Sequence, residues 1–526
     1  MRKLQSLIVT VYVLMMAAPV WAQFPPELEA AYLFGGAGDQ SGFGIHKSGS
    51  HVYLSGYESF STGYFLKVDP SDGSIVWTSA MTEVMLPYSL TRDGSDLFVA
   101  GTVTPSGCGS VDGSGGTEGK VLFAILGEST GTKTTCSSFN IYPYKGGESY
   151  YSIAGTGGTY YTAGYAEEGG FGAHRYVVGK YDGSGTPTSY VTDPLTYSFA
   201  SSVDLDGTGL YIAGYRRTGS SSALPELPFV AKLNSVTLAE IWRTTIDAGA
   251  LSARANFYRG RVHGATLYAV GRWIDSGGDT DFLVAAFSAT DGSLDWYNVF
   301  GDALFDHFID VAVTADGRLF GVGSSDTVSD GTQAVLIELD PADGTPLSTT
   351  VFGGSATDVF YSIVAEGSDL YVTGYSNSFA TPAGNVAGSY DVILHHYVLT
   401  GTIVLEKQTD PNDPNTIFVF DTSNLDPNDP NQVLMDGDSV SFPGIDPGTY
   451  RVDELLPPGW ILGLVSCSVD GGTNATIWDP NDPNDVTGVD IVLGSNQTVT
   501  CTFSNRQLVA NLSITKRPTR GSVQAG

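Results

Sequence analysis

Seven short stretches of this chain end in the same way. They read HVYLSGY (51–57), DLFVAGT (96–102), TYYTAGY (159–165), GLYIAGY (209–215), TLYAVGR (266–272), RLFGVGS (318–324) and DLYVTGY (369–375). The shared glycine falls at 56, 101, 164, 214, 271, 323 and 374, with successive gaps of 45, 63, 50, 57, 52 and 51 residues. Before each glycine, aliphatic and aromatic residues follow one another without a clean polar face. A strand that is apolar on both sides has to be covered on both sides. Periods of this size in a strand-rich chain mark the blades of a β-propeller, where each sheet is packed between two neighbours. The glycine that ends the strand is expected to allow close backbone approach where the sheets converge. A strand in an ordinary two-sheet sandwich does not account for seven copies at one period.

Each unit has the same parts. A strand such as YSIVAEG (361–367) precedes the glycine-ending strand, and a variable loop follows it. Then comes a third strand such as YFLKVD (64–69) or FLVAAFS (282–288), an Asp-Gly turn such as PSDGS (70–74) or TDGS (290–293), and a fourth strand such as LDWYNVF (294–300). Asp-Gly suits turn positions that need a positive φ. The seventh unit has a third strand, DVILHHYVL (391–399), but no fourth of its own. AAYLFGG (30–36), near the N-terminus, matches STTVFGG (348–354), the fourth strand of unit six. Residues 30–36 are therefore expected to pair with 391–398 and close a ring of seven blades without an open edge.

Composition agrees with an all-β chain: 66 Gly, 28 Tyr and 25 Phe, with turn dipeptides throughout. The 56 acids against 25 bases give a net charge of −31, which repels nucleic acid and anionic membrane surfaces. Residues 1–22 read as a secretory signal: Arg2 and Lys3, an apolar run from Leu7 to Ala18, and a small-residue cleavage site ending at Ala22. No other stretch is long and apolar enough to span a bilayer. The four cysteines lie after that segment in two sequence-close pairs, and an oxidising compartment predicts disulfides 108–136 (Cys108, Cys136) and 467–501 (Cys467, Cys501).

The propeller region is expected over 23–400. Its units resemble the seven-bladed repeats of secreted bacterial proteins, through the YVTGY-type strand, the FGG lead-in and the acid that follows it. This resemblance implies a fold and leaves function open. The stretch DPSDGSIVW (69–77) also resembles repeats of quinone-cofactor dehydrogenases, but only Trp77, Trp242 and Trp296 sit at the matching place, so no quinone cofactor is expected.

Near Thr400 the period stops. Residues 401–506 alternate along GTIVLEK, TIFVFDT, DSVSFPG, GTYRVDE, LGLVSCSVD and TVTCTFSN, with Pro- and Gly-rich turns between, as expected of a small β-sandwich. Alternation places Ile403, Leu405 and Lys407 on one face, Tyr450, Val452 and Glu454 on another, and Val499, Cys501, Phe503 and Asn505 on a third. Each apolar face thus ends in a polar group. The region resembles the prealbumin-like, Cna-B-type modules of bacterial surface proteins, through IVLEK, PGTYRVDE with PPGW, and TCTFSN. That resemblance implies an isopeptide bond between Lys407 and Asn505, assisted by Glu454. Residues 507–526 look like the start of a further, truncated module.

Two patterns bear on ligands. Asp39, Glu148, Asp306 and Asp358 follow the glycine lead-in and precede the innermost strand, where they could ring one channel mouth as a cation or ligand site, or cap turns through backbone N–H groups. Three DPNDPN hexapeptides (410–415, 426–431, 479–484) read as rigid solvated loops, with Ca²⁺ binding as the alternative. Neither pattern is a dedicated metal motif, and no cofactor is expected. His395 and His396 point to opposite faces of one strand, and His307 is read as making an entry-loop hydrogen bond. The expected function is a non-enzymatic, secreted or surface-displayed scaffold. Its partners would be an extracellular protein or glycan, bound by loops 57–63, 102–119, 215–228 and 375–390, with the sandwich as a stalk. The alternative is a secreted propeller enzyme, a lyase or glycoside hydrolase, using the channel-mouth acids.

Overall fold

The structure is a computed structural model that describes residues 26–508, apart from stretches 36–38, 60–61, 83, 104–107, 111–119, 140–147, 168–173, 194–196, 218–224, 247–253, 303, 328, 379–389, 470–474, 479–487 and 495–496. The expected signal segment, nearly all of the expected further module and the third DPNDPN loop lie outside the described residues, as do residues 60–61, 104–107, 111–119, 218–224 and 379–389 of the four variable loops. Two compact units divide at Val398 and Leu399.

The first unit is an all-β propeller. Seven antiparallel sheets follow one another, each with its four main strands (a to d, axis outward) hydrogen-bonded in order. Blade one comprises Gln40–Ser48, His51–Glu58, Thr62–Asp69 and Ser74–Met81. The next five repeat this plan, and blade two adds a two-residue edge strand, Gly109–Ser110. Blade seven takes strands a to c from Asp358–Glu366, Asp369–Ser376 and Asp391–Val398, and strand d from Glu27–Phe34. That N-terminal strand runs antiparallel to the third, with Ala30 opposite His396 and Phe34 opposite Val392. The expected closure is thus present.

Burial explains why strands b and c carry so few polar residues. Residues 370–374 of LYVTG are all buried, as are Val392, Ile393 and Leu394 beside them. The outer strands are less covered; Ile75, Val76, Tyr297 and Val351 are exposed. Between successive blades lie separate hydrophobic clusters. One joins Phe34, Tyr371, Val392 and Leu394 of blade seven to Ile45, Val52, Leu54, Leu66 and Val68 of blade one, so the seam is packed like the other junctions. Each fully buried Leu or Val contributes about 1.5–3 kcal/mol.

An outer aromatic locks several junctions. Trp77, Trp242 and Trp296, on strands d of blades one, four and five, lie against Gly131, Gly292 and Gly344 in the c–d turns of the following blades. At the seam, Tyr32 does the same against Gly73 of blade one. These glycines have φ of 65°, 76°, 76° and 71°, so each serves the turn and leaves room for a ring. Trp77 Nε1 also donates to the Glu128 carbonyl across its junction (2.9 Å).

The second unit has a five-stranded and a four-stranded sheet. Gly401–Asp410 runs parallel to Thr498–Gln507, and Gly448–Leu455 lies in the other sheet. One apolar cluster, including Ile403, Leu405, Phe418, Phe420, Val452 and Phe503, draws on both sheets. Both cysteine pairs are disulfide-bonded, and Cys467 and Cys501 are direct cross-strand partners.

Candidate functional sites

The seven repeated glycines organise the propeller axis. In every blade the pairing of strand a with strand b slips by one residue at the same place, leaving Phe43, Tyr88, Tyr151, Ser201, Tyr258, Ile309 and Tyr361 as extra residues in β-bulges. The repeated glycine is the partner of the residue just before each bulge, as in Gly56 opposite Gly42 and Gly374 opposite Phe360. A Cβ on Gly56 would stand 1.7 Å from the Ser41 carbonyl oxygen, and one on Gly374 1.8 Å from that of Val359. The close approach that requires glycine is therefore within one blade, between strands a and b, and not between converging sheets. A bulge re-aims its side chain; here the seven extra residues turn toward the axis.

All seven line a cavity of about 350 Å³, together with Phe199, Tyr215, Arg259 and His307. Tyr361, Phe43, Tyr88 and Tyr151 form an unbroken arc, with ring centroids 4.9, 5.4 and 5.0 Å apart. A second tier comes from tyrosines that follow the repeated glycine. Tyr57 packs on Phe43 (5.3 Å), Tyr165 on Tyr151 (6.0 Å), Tyr215 on Phe199 (4.7 Å) and Tyr375 on Tyr361 (5.7 Å). Arg259 borders both this cup and a smaller cavity of about 240 Å³ farther along the axis. Its Nε lies 3.2 Å from Asp310 Oδ1, and Asp310 also accepts from Ser362 Oγ (2.6 Å), so the cup's cation is neutralised from behind. Burial holds His307 down to about 3, which leaves it neutral at physiological pH. Its Nδ1 is 3.3 Å from Ser324 Oγ on the adjacent strand, a contact within the blade and not with the entry loop.

The four acids sit elsewhere. Glu148, Asp306 and Asp358 are buried at the first position of strand a. Asp306 Oδ2 accepts from Asp302 N (3.0 Å) and Asp358 Oδ2 from Gly354 N (3.0 Å), while Ser376 and Ser378 donate to Asp358 through their hydroxyls. Burial raises Asp306 to about 6. Asp39 is one residue out of register: Gln40 occupies the equivalent place, and Asp39 Oδ1 instead accepts from Tyr390 N (3.2 Å) of blade seven. None of the four is among the cup's lining residues.

His395 is buried with Nδ1 3.0 Å from Tyr397 Oη, whereas His396 faces the other way and pairs with Asp369. In the DPNDPN loops, Asp413 accepts from Asn415 N (2.9 Å) and Asp426 from Asn428 N (2.9 Å), so these carboxylates cap their own turns. Among the described residues no three His, Cys, Asp or Glu side chains form a metal-holding group.

In the second unit Lys407, Glu454 and Asn505 come together, each almost wholly buried. Lys407 and Asn505 lie on adjacent parallel strands, where Lys407 pairs with Phe503 and Thr409 with Asn505; Glu454 reaches in from the facing sheet. Lys407 Nζ is 3.7 Å from Glu454 Oε1, and that same oxygen accepts from Asn505 Nδ2 (2.9 Å). Nζ also donates to the carbonyls of Gln408 (2.7 Å) and Phe503 (3.0 Å) and lies 4.2 Å from the Phe418 ring centroid. Burial lowers Lys407 to about 8 and raises Glu454 to about 7. Glu454 Oε2 and Asn505 Oδ1 are buried without a hydrogen-bond partner.

No family model matches this chain, and no curated protein does. Among solved structures it is similar to the quinohemoprotein alcohol dehydrogenase ADHIIG from Pseudomonas putida HK5, at 9% identity over 67% of this chain and 66% of that one, with a TM-score of 0.37. It is also similar to the Dos1 propeller, at 11% identity over 66% of this chain and 74% of that one, with a TM-score of 0.39.

Proposed function

We propose that this is a secreted or surface-displayed binding protein whose propeller recognises an extracellular protein or glycan and whose second unit is a stalk module stapled by an isopeptide bond between Lys407 and Asn505. The observation that carries the stalk reading is the buried Lys407–Glu454–Asn505 cluster. Burial lowers Lys407 to about 8, which raises the fraction of neutral, nucleophilic amine far above that of an ordinary Lys. Glu454, protonated because it is buried, polarises the Asn505 amide. Nζ attacks Asn505 Cγ, the new amide forms between them, and the bond from Cγ to Nδ2 breaks. Glu454 relays the proton that Nζ loses to the departing nitrogen, which leaves as ammonia. The product joins the adjacent first and last strands of one sheet, so a pulling force on that sheet meets a covalent bond.

Intact mass of the secreted protein tests this. One ammonia should be missing from the wild type, and the full mass should return in Asn505→Ala and Glu454→Ala. A wild type at full mass after prolonged incubation would end the proposal.

Support for recognition without catalysis comes from the axis. Its cup is walled by rings and an arginine paired with Asp310, none of the four acids assigned to the enzyme reading is among its lining residues, and Asp306 and Asp358 accept hydrogen bonds from the backbone just before their strands. The two disulfides and the expected signal segment fit an oxidising, extracellular setting.

A further inference from the structure

We propose that the aromatic cup on the propeller axis is a binding site for an uncharged carbohydrate, taking the end or a short bend of a neutral glycan. This deepens the recognition reading above and rests on it. The walls decide the ligand class. Five tyrosines, Tyr88, Tyr151, Tyr215, Tyr258 and Tyr361, and two phenylalanines, Phe43 and Phe199, line the space. All five tyrosines and Phe199 are part-buried, so they keep some accessible surface in the cup. Such walls present apolar faces next to hydroxyl donors and acceptors. A sugar ring has the complementary surface: a C–H face that stacks on an aromatic ring, and an edge of hydroxyls. The volume of about 350 Å³ is near the lower end of the roughly 300–1,000 Å³ typical of small-molecule sites.

Other ligand classes fit worse. A quaternary or primary ammonium would find aromatic faces, but no carboxylate is among the described lining residues, while Arg259 lines the cup and Arg272 stacks on Tyr258 (5.6 Å). An anion would find Arg259 already committed to Asp310, inside a molecule of net charge −31. An extended peptide needs a row of backbone donors and acceptors. Strand a is the edge strand of every blade, but at the cup each one is interrupted by its bulge and the space is lined by the seven bulge residues, so no regular row of backbone groups is offered there. Glycans need neither an edge nor a charge. The seven-fold repetition of the bulge, with its side chain varied between aromatic, Ser and Ile, gives a wall adaptable to a ligand without seven-fold symmetry.

The test uses the secreted full chain and a panel of short neutral oligosaccharides of glucose, mannose, galactose and N-acetylglucosamine, with heparin and a polylysine peptide as charged comparators. Tyrosine difference absorption and calorimetric titration report binding. A neutral member should perturb the tyrosine spectrum of the wild type. Tyr361→Ala and Tyr88→Ala should each bind it about tenfold more weakly, the loss expected of one stacked ring. Tyr361→Phe, which keeps the ring and the fold, should lose less. Three results overturn the proposal: no spectral response to any neutral sugar, a response only to heparin or polylysine, or sugar binding unchanged in both alanine variants. The last two leave the broader recognition reading standing, because the protein still binds a ligand; the cup is then not where a neutral glycan sits.

Discussion

At the scale of the residue, Lys407 is the group most at odds with its surroundings. An ammonium that loses water must be repaid by partners. Lys407 has two carbonyls, one phenylalanine face and a carboxyl group that is itself pushed toward neutrality. The linkage has opposite signs for the two groups. The folded state raises Glu454 to about 7, so its contribution is present at acid pH and is lost as pH rises through 7. It lowers Lys407 to about 8, so the protein binds fewer protons than the unfolded chain above that pH, and stability grows as pH rises further toward about 10.4, the ordinary Lys value. In the uncross-linked Asn505→Ala variant, the melting transition of the second unit should therefore have a stability minimum between about pH 7 and 8. Calorimetry across pH 4 to 11 checks this; a maximum in that window would mean that the ion pair outweighs the desolvation of its members. The three residues of this cluster were legible from alternation, because a strand's period of two fixes which side chains share a face. Gln40 shows the opposite case. An acid nearby, Asp39, matched the pattern of the other blades, and only the ladder register shows that Gln40 holds the equivalent place.

At the scale of the element, strand a is defined by its bulge, and the bulge by a glycine on its neighbour. The repeated glycine was plain in the sequence, and so was the need for close backbone approach. What it approaches was not, since a one-residue slip in pairing leaves no composition signal. The extra residue is an aromatic in five blades but Ser201 and Ile309 in the other two, so no single residue type marks it. The aligned signal was present in hindsight: the residue lies thirteen before the repeated glycine in six of the seven blades, for instance Tyr151 before Gly164 and Tyr361 before Gly374. Gly374→Ala should cost about 3 kcal/mol, the upper part of the overpacking range, because the opposing atom is a backbone carbonyl that cannot rotate away. Equilibrium urea unfolding measures this. Gly367→Ala, in a hairpin where a Cβ meets no atom within 4 Å but φ is 62°, serves as the comparator and should cost about 1 kcal/mol. Equal costs at the two sites would remove the close-approach argument.

At the scale of the whole molecule, a propeller is a ring whose last junction has to be made by residues far apart in the chain. Strand Glu27–Phe34 makes it, hundreds of residues from the strand it pairs with, and buries Phe34 against blade one. Loop-closure cost grows only slowly with length, and a paired final strand leaves no exposed edge between first and last blades. The closure was readable because the N-terminal FGG repeats the FGG of unit six; the position of the cup was not, because it depends on seven bulges acting together. The Ala30→Cys/His396→Cys double variant tests the ring most directly, since these residues face one another across the closing pair. Peptide mapping of the oxidised, folded protein should find a 30–396 disulfide beside 108–136 and 467–501. A protein that folds with both new thiols free, or with Cys at 30 bonded to another partner, would contradict closure by the N-terminal strand and the seven-bladed account with it.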